Sequence, residues 1–186
     1  MFIQTETTPN PATLKFLPGR PVLDGTTRDY RDAGAAGESP LARRLFEIGS
    51  VCGVYLADDF IAVTKHTGEW QHLKPAILGA IMDHYLSDEP TLVAPDGPDP
   101  AAAEEFFDQA DAETVAAIKE LIETRVRPAV AQDGGDIVFR GFADGVVFLN
   151  MHGACAGCPS STMTLKQGIE NLLRHFLPEV EEVRPV

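Results

Sequence analysis

Asp133-Gly-Gly-Asp-Ile-Val-Phe-Arg-Gly-Phe142-Ala-Asp-Gly-Val146-Val-Phe-Leu-Asn150-Met-His-Gly-Ala-Cys155-Ala-Gly-Cys158-Pro159 is the stretch whose reading decides the fold. Ile137 to Phe142 and Val146 to Asn150 are rich in β-branched and aromatic residues, and Ala143-Asp-Gly145 between them is turn chemistry, so the two runs predict a hairpin. Asp133-Gly-Gly-Asp136 reads as a tight turn entering the first strand. A Cys-X-X-Cys pair follows the second strand directly. Pro159 suits a first helical position, and Ser160-Ser-Thr162 continues into a helix.

The flanks complete a small domain. Upstream, Val115, Ile118, Leu121, Ile122 and Val126 give one apolar helical face, with Pro128 placed either to end that helix or to bend it. Downstream, Leu165, Ile169, Leu172, Leu173 and Phe176 share a helical face, Pro178 stops the helix, and Val180 to Val183 can add a strand. The order is helix, strand, strand, cysteine loop, helix, strand.

The N-terminal half has its own α+β pattern. Phe2 to Thr5 and Ala12 to Leu17 read as strands around a Thr-Thr-Pro-Asn-Pro11 turn, and Gly19 to Glu38 reads as a loop. Ser39-Pro40 supplies an N-cap and a first-turn proline for a helix to about Glu47. Val51 to Leu56 and Phe60 to Thr64 predict a second hairpin, and Trp70, Leu73, Ile77, Ile81 and Tyr85 mark an amphipathic helix. Between the halves, nine acidic residues and no Lys or Arg fall from Asp88 to Glu113, with Pro90, Pro95, Pro98 and Pro100 among them. Prolines interrupt regular structure and like charges repel, so this reads as an extended tether. Within it, Ala101 to Asp108 has the composition of a short helix, and Phe106-Phe107 that of a docking point. The expected organisation is two small α+β domains, residues 1–87 and 112–186, joined by an acidic Pro-rich linker over 88–111.

Acidic residues exceed basic ones by 28 − 15 = 13 in 186 residues. That balance excludes phosphate-backbone recognition of nucleic acid, which needs clustered Lys and Arg. No run reaches the roughly 20 apolar residues that span a bilayer, so no membrane partner is expected. The start, Met-Phe-Ile-Gln-Thr-Glu, has neither a secretory nor an Arg-rich transit pattern, giving a cytoplasmic expectation with a processed mitochondrial-matrix chain as the alternative. Three cysteines, Cys52, Cys155 and Cys158, do not make a disulfide framework and point to a reducing compartment.

Two thiolates two residues apart can share one tetrahedral centre or close a disulfide. A helix N-terminus beside them lowers thiol pKa and favours bound anions, and Gly153 and Gly157 let backbone N–H groups approach the sulfurs. A [4Fe–4S] or [2Fe–2S] cluster held by cysteine alone needs four thiolates, and this domain offers two. Either two chains share one cluster, or external thiols complete the shell. A cluster held that way is labile, which suits a carrier. The pair by itself leaves rivals open: a thioredoxin-like dithiol, although Ala156-Gly157 lie between the cysteines and proline follows them; half a zinc site, although His152 and His175 are isolated; and a copper chaperone, although Met151 stands four residues before Cys155. No paired carboxylates, nucleophile elbow or phosphate loop is visible, so an enzyme is not expected.

Asp133-Gly-Gly-Asp-Ile137, Gly153-Ala-Cys-Ala-Gly-Cys-Pro-Ser-Ser-Thr162 and Leu165-Lys-Gln-Gly-Ile169 together resemble the C-terminal domain of NifU, the Nfu domain. Thr8-Pro-Asn-Pro-Ala-Thr-Leu-Lys-Phe16, Ser39-Pro-Leu-Ala-Arg-Arg-Leu-Phe46 and Asp59-Phe-Ile-Ala-Val-Thr-Lys65 resemble the N-terminal domain of Nfu-type proteins. The resemblance implies a late-acting iron–sulfur scaffold or carrier with Cys155 and Cys158 as cluster ligands. It implies a cluster, usually [4Fe–4S] with [2Fe–2S] as the alternative, bridging two subunits of a homodimer. It also implies upstream cluster assembly proteins as donors, apo iron–sulfur enzymes as clients, and an N-terminal domain that helps recognise them.

The remaining candidates have plainer expected roles. Cys52 is expected as a small buried core residue in its strand. His152 is expected to be a surface or hydrogen-bonding group, and Met163 a packing residue or a shield for the loop. Asp133 and Asp136 are expected to shape their turn, and Trp70 to anchor a helix start. His66, His72 and His84 show no ligand pattern.

Overall fold

The computed structural model describes residues 1–93, 104–156 and 159–186, the last span without the side chains of Pro159, Ser160 and Ser161. The chain separates into two compact units, Met1–Asp99 and Pro100–Val186.

The first unit is a five-stranded antiparallel sheet carrying two helices. The strands are β1 (Gln4–Thr7), β2 (Thr13–Leu17), β3 (Arg28–Tyr30), β4 (Val51–Leu56) and β5 (Ile61–Lys65), in the order β1-β2-β5-β4-β3. Leu14 and Phe16 lie opposite Val63 and Ile61, which lie opposite Val54 and Leu56, so all six side chains share one sheet face. That face packs on α1 (Pro40–Phe46) and α2 (Trp70–Leu86) through Leu41, Leu45, Ile77 and Ile81. Ser39 caps α1 as expected, its Oγ accepting the Ala42 N–H at 3.2 Å with Pro40 in the first turn. Trp70 opens α2 and donates from Nε1 to the Pro11 carbonyl at 3.0 Å, the anchor anticipated for it.

Three sequence expectations shift in this unit. The first strand starts at Gln4, and Phe2 is 84% exposed. The expected loop over 19–38 contains β3, a three-residue strand added to the edge of β4. Arg28 Nε and Tyr30 Oη both donate to Glu38 Oε1, at 3.2 and 2.9 Å, so β3 is held by a side chain eight to ten residues away. Cys52 is half-buried and is no core residue: the pairing shifts between Val51 and Gly53, leaving Cys52 as the extra residue of a bulge.

The second unit is a four-stranded mixed sheet, β6 (Phe106–Phe107), β7 (Gly135–Ala143), β8 (Val146–Gly153) and β9 (Glu182–Pro185), in that order. β7 and β8 form the expected hairpin, turning at Asp144 and Gly145, both with positive φ (49° and 76°). The bulge in β7 falls at Arg140. It reverses the alternation, so Phe139 and Phe142 both face the core while Gly141 faces out opposite Phe148. The Phe106 ring fills the space over Gly141: a Cβ there would lie 2.5 Å from the ring, whose centroid is 5.1 Å from that of Phe148. The stretch expected to be linker thus supplies a strand, β6, parallel to β7. Residues 104–108 are not helical, and residues 101–103 of the expected helix lie outside the described residues.

The helical segment before β7 runs through Pro128. α3 (Ala112–Leu121) passes into a π-helical turn, Ile122–Val126, and then into α4 (Arg127–Gln132). Pro128 has no N–H and its ring crowds the carbonyl four residues back. The wider turn absorbs this, with the Arg127 N–H donating to the Ile122 carbonyl five residues back. Val115, Ile118, Ile122, Val126 and Val130 stay on the buried side. After the cysteine loop, α5 (Pro159–Phe176) lays Ile169 and Leu173 on the sheet, and β9 returns parallel to β8.

Candidate cluster-binding site

The site is built where the start of β7 meets the end of β8. α4 ends in a tight reversal: Asp133 N–H donates to the Val130 carbonyl and Gly134 N–H to the Ala131 carbonyl, both at 3.1 Å. Gly134 has φ 78°, a left-handed conformation that favours glycine. Gly135 then pairs with Gly153, and Asp136 with His152. Gly153 (φ 61°) turns the chain back, so that Ala154 N–H reaches the Gly134 carbonyl at 3.1 Å and Cys155 N–H the His152 carbonyl at 3.3 Å. Thr162 in the first turn of α5 donates from Oγ1 to the Cys155 carbonyl at 3.1 Å, tying helix to loop.

Cys155 is therefore held at its N–H by the His152 carbonyl and at its carbonyl by the Thr162 hydroxyl, and its side chain is buried, in contact with the core. Gly135 forms the ledge beneath it. A Cβ on Gly135 would overlap the Cys155 sulfur and lie 2.9 Å from the His152 carbonyl oxygen and 3.0 Å from the Cys155 nitrogen. Sequence reading assigned Gly135 only to a turn. The signal that could have found it is the Gly-Gly repeat immediately before a strand whose partner ends in a cysteine.

Electrostatics correct one expectation. The Cys155 thiol is pushed up to about 12, first by burial and then by the carboxylates of Asp133 and Asp136. Burial thus acts against the lowering expected from the helix start at Pro159. In the metal-free chain Cys155 is a thiol, and a metal must displace its proton to form the bond.

Asp136 does more than shape the turn. Its side chain is 6% exposed, and it receives two prongs from Arg127: Nε to Oδ1 and Nη2 to Oδ2, both at 2.7 Å. Oδ1 also accepts the Ile137 N–H at 2.8 Å, and Arg127 Nη1 reaches Glu123 Oε1 at 2.7 Å. These carboxylates hold the guanidinium pKa well above its ordinary value. Sequence reading missed Arg127 altogether, since nothing local marks an arginine beside Pro128 as a partner of Asp136.

Of the two predicted ligands, Cys155 sits at this ledge and Cys158 lies outside the described residues. His152 is buried on β8, against the surface role considered for it, and Met163 is 68% exposed on the first turns of α5, so it does not pack. Cys52 belongs to the other unit, and burial raises its thiol pKa. Among the described residues no three His, Cys, Asp or Glu side chains converge as a metal site.

Residues 3–88 match the family model for the Nfu/NifU scaffold protein N-terminal domain, and residues 118–184 match the NifU-like domain. The chain is 50% identical over 188 residues to the human protein named NFU1 iron-sulfur cluster scaffold homolog, mitochondrial, covering 100% of this chain and 72% of that protein. It is 48% identical to NifU-like protein 4, mitochondrial, of Arabidopsis thaliana, covering 98% of this chain and 65% of that protein. It is 49% identical to the Drosophila sechellia protein named NFU1 iron-sulfur cluster scaffold homolog, mitochondrial, again covering 65% of it. Both halves of the chain match in the order the motifs implied, and the chain belongs to the Nfu/NifU iron–sulfur scaffold family.

Proposed function

We propose that this chain is an iron–sulfur cluster carrier that holds its cargo through Cys155 and Cys158 and passes it to apo-proteins. The observation that carries the reading is the seat of Cys155: a buried sulfur on a glycine ledge, at the end of a hairpin inside the matched NifU-like domain. Two thiolates are half of a four-thiolate shell, and of the two ways to complete it we favour a cargo shared between two copies of the chain, as a [4Fe–4S] cluster with [2Fe–2S] as the alternative. Upstream assembly proteins supply it and apo iron–sulfur enzymes receive it. The role is carriage and not catalysis. The raised Cys155 thiol weighs against a dithiol oxidoreductase, whose attacking sulfur needs a low pKa. The relatives are named as mitochondrial proteins, which favours the organellar alternative over the cytosol.

Anaerobic reconstitution with iron and sulfide tests this. The wild type is expected to turn brown and to hold about four irons per dimer. Cys155→Ala and Cys158→Ala should each lose that chromophore, while Cys52→Ala keeps it. A full cluster in either of the first two variants would refute the ligand assignment, and zinc in place of iron and sulfide would refute the carrier.

A further inference from the structure

The carrier reading leaves the best-made ion pair of the second unit without a task. We propose that Arg127 is a positioning residue for cluster loading: its charge compensates the buried Asp136 carboxylate, so that the ledge beneath Cys155 stays in place and one carboxylate fewer opposes an anionic cargo. The inference rests on the assignment of Cys155 and Cys158 as ligands.

Three observations support it. First, Asp136 is a carboxylate with a 6% exposed side chain, and such a group keeps its charge in the interior only when it is paired and hydrogen-bonded. Arg127 supplies both prongs at 2.7 Å, and the Ile137 N–H fixes the remaining orientation. Second, the pair lies directly behind the site. Asp136 follows Gly135, the residue in contact with the Cys155 sulfur, and its strand partner is His152, three residues before Cys155. Third, Arg127 is aimed from the far side. It stands at the exit of the π-helical turn, and Glu123 holds its third nitrogen at 2.7 Å.

The physical consequence concerns sign. A cubane with four thiolates carries a net charge of about −2. Neutralising Arg127 leaves the Asp136 carboxylate uncompensated beside that charge, whereas neutralising Asp136 removes the repulsion itself. A purely mechanical clamp would fail equally from either side.

The test uses the full chain reconstituted anaerobically, reading the half-life of the cluster's visible absorbance against a chelator and the reduction potential of the bound cluster. Arg127→Gln is expected to shorten the half-life at least about tenfold, the scale for stranding a buried charge, and to lower the potential. Arg127→Lys keeps the charge without the fork and should recover much of the half-life lost in Arg127→Gln, while Asp136→Asn and the double variant Arg127→Gln/Asp136→Asn should stay within about threefold of wild type. Arg184→Gln removes an equal charge from an exposed pair on β9 and should change nothing.

The proposal is overturned if Arg127→Gln matches wild type. It is equally overturned if Arg127→Lys or the double variant is as labile as Arg127→Gln, or if Arg184→Gln is. Thermal melts of the apo-proteins report folding. Should Arg127→Gln fail to fold, a lysine or double variant more than about tenfold more labile than wild type overturns the proposal. A wild type that takes up no iron and sulfide refutes the carrier reading and this inference with it. A loaded wild type with a flat variant series refutes only this inference.

Discussion

Cys52 and Cys155 both sit where a β-strand leaves regular pairing, and in both places burial raises the thiol pKa. The surroundings differ. Cys52 is the odd residue of a bulge, half-buried, with Gly53 beside it and, among the described residues, no charged group acting on its sulfur as Asp133 and Asp136 act on Cys155. Cys155 lies on a glycine that tolerates no side chain, feels the charge of two carboxylates, and has an arginine anchored on one of them. A cysteine at an irregular strand end is therefore not a site by virtue of irregularity. What distinguishes Cys155 is that backbone geometry and charge from three separate segments converge on one sulfur.

The sharpest way to break this comparison is to add one methyl group at each place. Gly135→Ala has no room, since the new carbon meets the Cys155 sulfur and backbone atoms at 2.9 and 3.0 Å. A loss of about 2–3 kcal/mol is expected by urea denaturation, together with loss of cluster retention. Gly53→Ala meets Thr64 Cβ at 3.3 Å, which a shift of a few tenths of an ångström relieves, and should cost about 1 kcal/mol with the cluster retained. Equal costs would mean that the ledge is no tighter than an ordinary strand contact.

A smaller effect separates the two thiols by pH. The ordinary Cys value is 9.0 and the folded Cys155 value is about 12, so the folded apo-protein binds that proton more tightly than the unfolded chain. The resulting stabilisation is fully present below pH 9 and is lost as pH rises from 9 toward 12. Apo wild type should therefore lose melting temperature over that window faster than Cys155→Ala. The same difference taken with Cys52→Ala should have the same sign and be shallower. Parallel curves for wild type and Cys155→Ala would remove the electrostatic half of the comparison.

The smallest expected effect lies at a third irregular strand position, the Arg140 bulge. Phe106→Ala uncovers Gly141 on the outer sheet face, and with the ring already 48% exposed the cost should be about 0.5–1 kcal/mol by denaturation. Cluster retention should not change, because this position serves the sheet and not the cysteine loop.

Elements whose cause is local were legible in the sequence. Ser39-Pro40 announces α1, Ala143-Asp-Gly145 announces a hairpin, and Pro159 announces the helix after the cysteine pair, because cap, turn and proline geometry act within a few residues. Elements held from a distance were not. β3 depends on Glu38 gripping Arg28 and Tyr30, and β6 depends on Phe106 finding a glycine more than thirty residues on. The site divides the same way. Cys155 could be put forward as a candidate from its spacing, whereas the contact with Gly135 and the Arg127–Asp136 pair appear only when β7 pairs with β8 and the helix before them is seen to run through Pro128. The raised Cys155 thiol was misjudged for a related reason: a helix start is visible in sequence, but the depth of the sulfur is not.

The π-helical turn at Ile122–Val126 gives the protein a rotational setting. Each residue of a regular helix turns the chain by about 100°, so one extra residue per turn advances everything after it by roughly that angle. Arg127 leaves the turn facing Asp136, while Val126 and Val130 remain inward. Shortening the turn by one residue would give a more regular helix and would swing the guanidinium to another quadrant. The proline that forces the wider turn and the arginine that benefits from it are adjacent, so the direction of a key side chain is written as a residue count.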